Sequence, residues 1–229
     1  MDIKLHSVDV GEGKPLVLLH GNGESSDYFT HQIPHFLTKR RVIAVDTRGH
    51  GQSPRGTAPF TLAQFAEDLH ALLAEKGIEK ADVLGFSDGG NIAMLFALRY
   101  PECVDRLILN GANLYPRGVK LAVQLPIVLG YGLVSLIAKF DKKAVAKKET
   151  LRLMVREPHI DPTDLAKLVC PTLVIVGDND MIRHRHSKKI AASIPNARFI
   201  TLSGSHFIAA ENSAVFNRAV DAFLEETEE

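Results

Sequence analysis

Six short runs rich in valine, isoleucine and leucine recur along the chain and constrain its fold more than any other feature. They are continuous rather than alternating, as expected for parallel strands that are covered on both faces. The runs are PLVLLH (15–20), RVIAVD (41–46), ADVLGF (81–86), DRLILNG (105–111), PTLVIVG (171–177) and ARFITL (197–202). The opening segment IKLHSVDVGEG alternates and ends in glycine, which predicts an antiparallel edge strand or hairpin.

Longer segments with a helical pattern lie between these runs. TLAQFAEDLHALLAEKG (61–77) begins with a threonine cap and ends at glycine, GNIAMLFALRYP (90–101) ends at proline, and ENSAVFNRAVDAFLEE (211–226) follows the last run. This alternation predicts an α/β fold with a mostly parallel central sheet flanked by helices. A chain of 229 residues suits one such core plus an insertion.

The alternation is interrupted once. Residues 113–164 contain no convincing strand, and we interpret them as a helical cap insertion, so that residues 1–112 and 165–229 form the core. The insertion holds the uncharged run LAVQLPIVLGYGLVSLIA (121–138), followed by KKAVAKKETLRLMVREPHI (142–160), which predicts a charged helix.

Charge and cysteine content exclude several classes of protein. Lysine plus arginine equals aspartate plus glutamate at 27 each. The chain therefore lacks the excess of basic residues that would indicate a nucleic-acid partner. Cys103 and Cys170 lie far apart without metal-ligand spacing, which favours reduced thiols and a cytoplasmic location. The opening MDIKLHSVDV lacks the apolar segment of a signal peptide.

A lone serine between glycines, in VLGFSDGGNIA (83–93), is the candidate nucleophile. Gly85-Phe86-Ser87-Asp88-Gly89 fits the pattern G-x-S-x-G, with a predicted strand before it and a predicted helix after it. The pattern places a serine on a sharp strand-to-helix turn, where side chains two positions away would collide and glycine fits.

A serine needs a general base, and the base needs an orienting acid. After the strand TLVIVG come Asp178 and Asp180, and after the strand ARFITL comes His206. Because carboxyl ends of parallel strands meet at one edge of the sheet, these residues are expected to converge on Ser87. The chain order serine, acid, histidine fits the G-x-S-x-G fold.

Two backbone N–H groups are the expected donors to a developing oxyanion. One belongs to Asp88, which directly follows the nucleophile, and the other to Asn22 in the loop His20-Gly21-Asn22-Gly23. The glycines of this loop would let its backbone approach a substrate closely.

The motifs together resemble those of the α/β-hydrolase superfamily over essentially the whole chain. They are HGNG (20–23), DTRGHGQS (46–53), GFSDGG (85–90), GDND (177–180) and GSHF (204–207). The resemblance implies the α/β-hydrolase fold with a short cap. It favours Asp180 over Asp178 as the acid, because the family's acid usually occupies the fourth position of the GDND-like motif. It also implies structural roles for Asp46 and Arg48.

The same resemblance limits the chemistry. Haloalkane dehalogenases and epoxide hydrolases use aspartate as nucleophile, so Ser87 argues against them. We expect a serine hydrolase that cleaves a small carboxylic ester, thioester or lactone through an acyl-enzyme. The alternatives are a C–C bond hydrolase of ring-fission products, a cofactor-free perhydrolase, and a non-catalytic ligand receptor. No cofactor is expected. His184 and His186 lack a third ligand, so no metal site is expected.

The uncharged run is borderline in length for a membrane span. A span there would put Ser87 on one side of the bilayer and Asp180 and His206 on the other, so no transmembrane segment is expected. We interpret the run as cap helices over the site, with Leu125 and Leu129 as candidate substrate contacts. The expected partner is a small molecule with an apolar acyl group. A homodimer through the cap and weak attachment to a membrane surface stay open.

Overall fold

A seven-stranded sheet forms the centre of the protein. The computed structural model describes residues 2–226. The strands are β1 (Ser7–Val10), β2 (Pro15–Leu19), β3 (Arg41–Val45), β4 (Ala81–Phe86), β5 (Val104–Asn110), β6 (Thr172–Gly177) and β7 (Ala197–Leu202). Their order in the sheet is β1-β3-β2-β4-β5-β6-β7. β1 pairs antiparallel with β3 at one edge, and every other pair is parallel. The predicted α/β fold class is confirmed.

Eight α-helices accompany the sheet within residues 2–226. They are α1 (Ile33–Phe36), α2 (Leu62–Glu75), α3 (Asp88–Arg99), α4 (Leu121–Ile137), α5 (Ala144–Arg156), α6 (His184–Ser193), α7 (Ile208–Glu211) and α8 (Ser213–Leu224). α2 begins after Thr61, whose hydroxyl accepts a hydrogen bond from the Gln64 backbone N–H at 3.1 Å, as the sequence pattern predicts.

Two apolar cores lie on opposite faces of the sheet, which explains why the strand sequences are continuous in hydrophobic residues. Within β2, Val17 and Leu19 pack in the core that contains residues of α2 and α3. Leu16 and Leu18 point the other way, into the core that contains Phe36 and the side chains of α8. Successive residues of a strand face opposite sides of the sheet. When both faces are covered, both sets of side chains are apolar, and the sequence does not alternate between apolar and polar residues.

The segment between β5 and β6 holds α4 and α5, and no strand of residues 2–226 lies within it. The uncharged run forms one continuous helix, α4, although Pro126 lies inside it. None of the residues of α4 is buried, whereas Leu153 of α5 is buried in the core. Of the helices that the structure describes, none is long and apolar enough to cross a membrane.

Asp46 and Arg48 hold loops together beneath the carboxyl edge of the sheet. Asp46 accepts hydrogen bonds from the backbone N–H groups of Ser26 at 2.7 Å and Gln52 at 2.8 Å. Arg48 is fully buried and donates two hydrogen bonds of 2.7 Å to Asp68. These contacts agree with the structural roles expected for both residues.

Candidate active site

Ser87 lies on the sharp turn between β4 and α3. Its backbone angles are φ 54° and ψ −119°, and it is the one residue other than glycine with positive φ among residues 2–226. Such a conformation costs about 1–3 kcal/mol and persists only where the surroundings impose it. The surroundings here are glycines: a Cβ at Gly85 would collide with the Gly89 carbonyl, and one at Gly89 with the Leu19 carbonyl. The predicted turn therefore forms, and for the predicted steric reason.

A continuous chain of hydrogen bonds joins Ser87, His206 and Asp180. His206 Nε2 lies 3.0 Å from Ser87 Oγ, and His206 Nδ1 lies 2.7 Å from Asp180 Oδ1. The Ile182 backbone N–H also donates to Asp180 Oδ1 at 2.8 Å and so fixes the carboxylate. Asp180 and His206 are buried, whereas Ser87 is half-buried. Of these three residues, Ser87 is therefore the one that a ligand can reach.

Asp178, the alternative acid, contacts the turn before His206 rather than the imidazole. It is exposed, and its Oδ1 accepts a hydrogen bond of 3.1 Å from the Gly204 backbone N–H. Of the two aspartates that the sequence offers, the structure brings Asp180 to the histidine.

His206 is confined by groups that the sequence analysis did not single out. A Cβ on Gly111, which has φ 63°, would lie 2.7 Å from His206 Cε1. The ring centroids of Phe86 and Phe207 lie 4.9 and 5.5 Å from that of His206, and Tyr28 stacks on Phe86 at 4.2 Å. Gly111 could have been found from the sequence, because it directly follows β5 and so lies at the carboxyl edge of the sheet, where the site forms.

The loop of residues 20–23 is held by a neutral histidine. The Thr47 backbone N–H donates to His20 Nε2 at 3.1 Å, so the proton is on Nδ1, which donates to the Gly21 carbonyl at 2.7 Å. Burial lowers the pKa of His20 to about 4. Within residues 2–226 neither the Asn22 nor the Asp88 backbone N–H donates to another backbone group. Both expected donors are therefore available to a ligand.

Glu24 is a second support of this loop that the sequence analysis missed. Its Oε2 accepts a hydrogen bond of 3.0 Å from the Gly21 backbone N–H. Burial raises the pKa of Glu24 above its ordinary value, and the hydrogen bond from the Gly21 backbone opposes that rise. No spacing rule pointed to Glu24, because its partner is a backbone group.

The side chain of Asp88 is a buried carboxyl beside the nucleophile. Burial raises its pKa to about 6, although the Asn91 side-chain amide donates to its Oδ1 at 2.9 Å and opposes the rise. Its Oδ2 has no hydrogen-bond partner among residues 2–226. Asp88, Asn22 and Leu153 line one small cavity. The carboxyl is close to half-ionised at slightly acid pH.

The segment between β5 and β6, which the sequence predicts to be a cap, contacts the candidate site through α5. The Asn22 side-chain amide donates to the Thr150 carbonyl at 2.9 Å. Arg55 forms a bidentate ion pair with Glu149, with N···O distances of 2.8 and 2.7 Å. The charged helix that the sequence placed beyond the uncharged run thus contacts the loop that carries an expected oxyanion donor.

α4 lies further out. The Gln124 side-chain amide donates to the Met154 carbonyl of α5 at 3.1 Å. Leu125 and Leu129, the predicted substrate contacts, are 51% and 65% exposed. Their contact with a substrate stays a prediction.

His184 and His186 lie in different surroundings. His186 is buried, its Nε2 accepts a hydrogen bond of 3.0 Å from the Leu114 backbone N–H, and burial lowers its pKa to about 4. The exposed His184 lies 3.1 Å from Thr201 Oγ1. His186 therefore acts as a buried acceptor for the backbone.

A family model described as alpha/beta hydrolase fold matches residues 14–130 of this chain. The 2-hydroxymuconate semialdehyde hydrolase of Pseudomonas putida is 29% identical over 257 aligned residues, which cover 96% of this chain and 90% of that protein.

The fold is also found among solved structures. A meta-cleavage product hydrolase from Pseudomonas fluorescens, a serine-to-alanine mutant complexed with acetates, superposes with a TM-score of 0.82 at 26% identity. The superposition covers 99% of this chain and 96% of that one. An enol-lactonase from Burkholderia xenovorans also gives 0.82 at 21% identity, over 98% and 97% of the two chains, a likeness of fold alone.

Proposed function

The chain belongs to the α/β-hydrolase fold family, and on that premise we propose that it is a serine hydrolase of small carboxylic esters. Ser87 is the nucleophile, His206 the general base, and Asp180 the acid that orients it. The observation that carries this proposal is the hydrogen-bonded chain Asp180–His206–Ser87, which ends on a serine in a strained, ligand-accessible turn.

Acylation follows from the direction of these hydrogen bonds. Asp180 accepts a hydrogen bond from the Nδ1–H of His206, which leaves the Nε2 lone pair facing the Ser87 hydroxyl. As Ser87 Oγ attacks the ester carbonyl, its proton moves to Nε2. The negative charge that develops on the carbonyl oxygen is received by the Asn22 and Asp88 backbone N–H groups. His206 then donates its Nε2 proton to the leaving alkoxide, and the acyl group stays on Ser87.

Deacylation uses the same groups in the reverse roles. A water molecule takes the place of the alcohol, gives its proton to His206 Nε2, and attacks the acyl-serine carbonyl. Collapse of the second tetrahedral intermediate returns the proton to Ser87 and releases a carboxylic acid. Asp180 stays ionised throughout and stabilises the imidazolium in each half-reaction. The mechanism needs no cofactor.

A small, apolar acyl group is the substrate feature that we propose. Apolar side chains of the segment between β5 and β6 would line the acyl side, among them Leu153 of α5 in the cavity beside Asn22 and Asp88. Each buried methylene contributes about 0.8 kcal/mol, roughly fourfold in specificity. Thioesters and lactones present the same carbonyl to Ser87 and belong to the same proposal.

C–C bond hydrolysis is the second candidate. It is favoured by the 29% identity to the 2-hydroxymuconate semialdehyde hydrolase over nearly the whole of both chains. The two candidates differ in substrate charge, because ring-fission products carry a carboxylate whereas simple esters do not.

A substrate panel separates the two. We expect kcat/KM on p-nitrophenyl esters to rise about fourfold per carbon from acetate towards butyrate or hexanoate and then to fall. Turnover confined to vinylogous diketo acids would replace the ester proposal with C–C hydrolysis. Binding of a panel member without turnover would indicate a receptor.

A further inference from the structure

The outer face of α4 is an unpartnered apolar surface. Of residues 121–137, those that are exposed are all apolar or glycine. The large exposed side chains, with Phe140 just beyond the helix, are Leu121, Leu125, Val128, Leu129, Leu133, Leu136, Ile137 and Phe140. We define these eight as the cap stripe. Contiguous exposed apolar surface of this kind marks an interaction site in a soluble domain.

Lysines stand at both ends of the cap stripe. Lys120 precedes α4, and Lys139, Lys142 and Lys143 follow it, all of them exposed. Six lysines and one acidic residue lie between residues 120 and 148, whereas basic and acidic residues balance at 27 each over the chain. None of these six lysines forms an ion pair within residues 2–226. The apolar surface is therefore flanked at both ends by an excess of positive charge.

We propose that the cap stripe docks on the surface of a bilayer that contains anionic phospholipid, with α4 lying in the membrane plane. Apolar side chains would enter the boundary between headgroups and acyl chains, as in interfacial helices, while the lysines contact lipid phosphates. Phe140, 87% exposed, would insert at one end of the helix.

A second copy of the chain fits the surface less well, because like charges would meet. Antiparallel pairing of two α4 helices would bring Lys120 of one copy beside the lysines that follow α4 in the other.

Vesicle flotation tests the docking surface. The purified protein is mixed with vesicles of phosphatidylcholine alone or with about one third phosphatidylserine. We expect flotation with the anionic vesicles only, weakened by raised salt because exposed charges are screened. The triple substitution Lys139→Gln, Lys142→Gln and Lys143→Gln should lower the partition coefficient roughly a hundredfold, at about fivefold per lysine.

The apolar contribution is tested with Leu133→Glu combined with Leu136→Glu, which should abolish flotation. Val169→Glu is the matched control, since Val169 is 68% exposed and lies outside the cap stripe. Thermal unfolding establishes that each variant is folded. Equal flotation with both vesicle types, or none with either, overturns the proposal. A dimer in sedimentation velocity that the double variant dissociates would assign the stripe to a second copy instead.

Discussion

Asp178 and Asp180 lie two residues apart in one loop, yet they contact different groups. Asp180 accepts from His206 Nδ1, whereas Asp178 accepts from the Gly204 backbone. We predict that Asp180→Asn lowers kcat on p-nitrophenyl acetate by about 10³–10⁴, because the amide favours the wrong imidazole tautomer. Asp178→Asn, the matched control, should stay within a few-fold of wild type. The reverse ranking would move the acid to Asp178.

The buried carboxyl of Asp88 gives a prediction in pH-dependent stability. Its pKa is about 6 in the folded protein and 3.8 in the reference state, so between these pH values the folded protein holds a proton that the unfolded chain has released. The free energy of unfolding therefore falls as pH rises through this window, by roughly 3 kcal/mol from this group. Asp88→Asn, which removes the titration, should stabilise the protein at pH 8 much more than at pH 4.

Urea unfolding of wild type and Asp88→Asn at both pH values measures this difference. Asp178→Asn controls for the loss of an exposed carboxylate. An equal effect of Asp88→Asn at pH 4 and pH 8 would mean that Asp88 does not titrate in the way its burial implies.

Among single residues, the sequence predicted those that belong to a spaced motif. Ser87 and His206 follow from strand ends and a glycine pattern, and the choice of Asp180 came from a family resemblance. Glu24 and Gly111 were missed, because one binds a backbone N–H and the other is defined by the space beside an imidazole. Contacts of this kind depend on the tertiary structure and leave no spacing in the chain.

At the scale of elements, α5 connects the segment between β5 and β6 to the candidate site. Its Glu149 pairs with Arg55, and its Thr150 carbonyl accepts from Asn22. We predict that Glu149→Gln loosens this helix, because the bidentate pair is lost while the rest of the core is unchanged. Amide hydrogen exchange over residues 144–156 should quicken several-fold, with only a small change in the melting temperature.

Glu79→Gln is the appropriate comparison, since Glu79 is exposed and forms no ion pair within residues 2–226. Unchanged exchange in α5 after Glu149→Gln would show that apolar packing through Leu153 holds the helix without the ion pair.

The two cap helices were predictable to different degrees. The sequence located both and distinguished an uncharged helix from a charged one. It assigned the contact with the site to the uncharged helix. In the structure, α5 contacts the loop that carries Asn22, and the outer face of α4 is exposed. Hydrophobicity indicated burial, but a short insertion has too little core of its own to cover every apolar side chain.

At the scale of the whole molecule, buried histidines lower the stability at acid pH, and burial lowers the pKa of His50 in the same direction as that of His20 and His186. His20 and His186 each have a pKa of about 4 in the folded protein and 6.5 in the reference state. The unfolded chain binds protons that the folded protein excludes, so stability falls as pH drops from 6.5 towards 4, by roughly 3 kcal/mol for each histidine. Asp88 works in the opposite direction and offsets about half of this loss.

We therefore predict that the free energy of unfolding is several kcal/mol lower at pH 4.5 than at pH 7, and that the decline is steeper in Asp88→Asn. Urea unfolding at intervals across this range measures both. If the free energy of unfolding stays level or rises towards acid pH, the buried histidines are not held neutral in the folded protein.

The sheet itself was predictable because both of its faces are covered. Burial on two sides forces continuous apolar runs, and each of the six runs forms a strand whose bounds agree with the sequence to within a residue or so. Strand order could not be predicted from these runs, because every run is compatible with several neighbours and only packing decides among them.

The central claim is that Ser87 forms a covalent intermediate activated by His206. Its most direct test is intact-protein mass spectrometry after reaction with a fluorophosphonate, followed by peptide mapping. We predict one adduct per chain, located on Ser87, formed much more slowly in His206→Ala and absent in Ser87→Ala, with both variants folded. No adduct on the wild type, an adduct at another residue, or Ser87→Ala that retains esterase turnover would contradict the account.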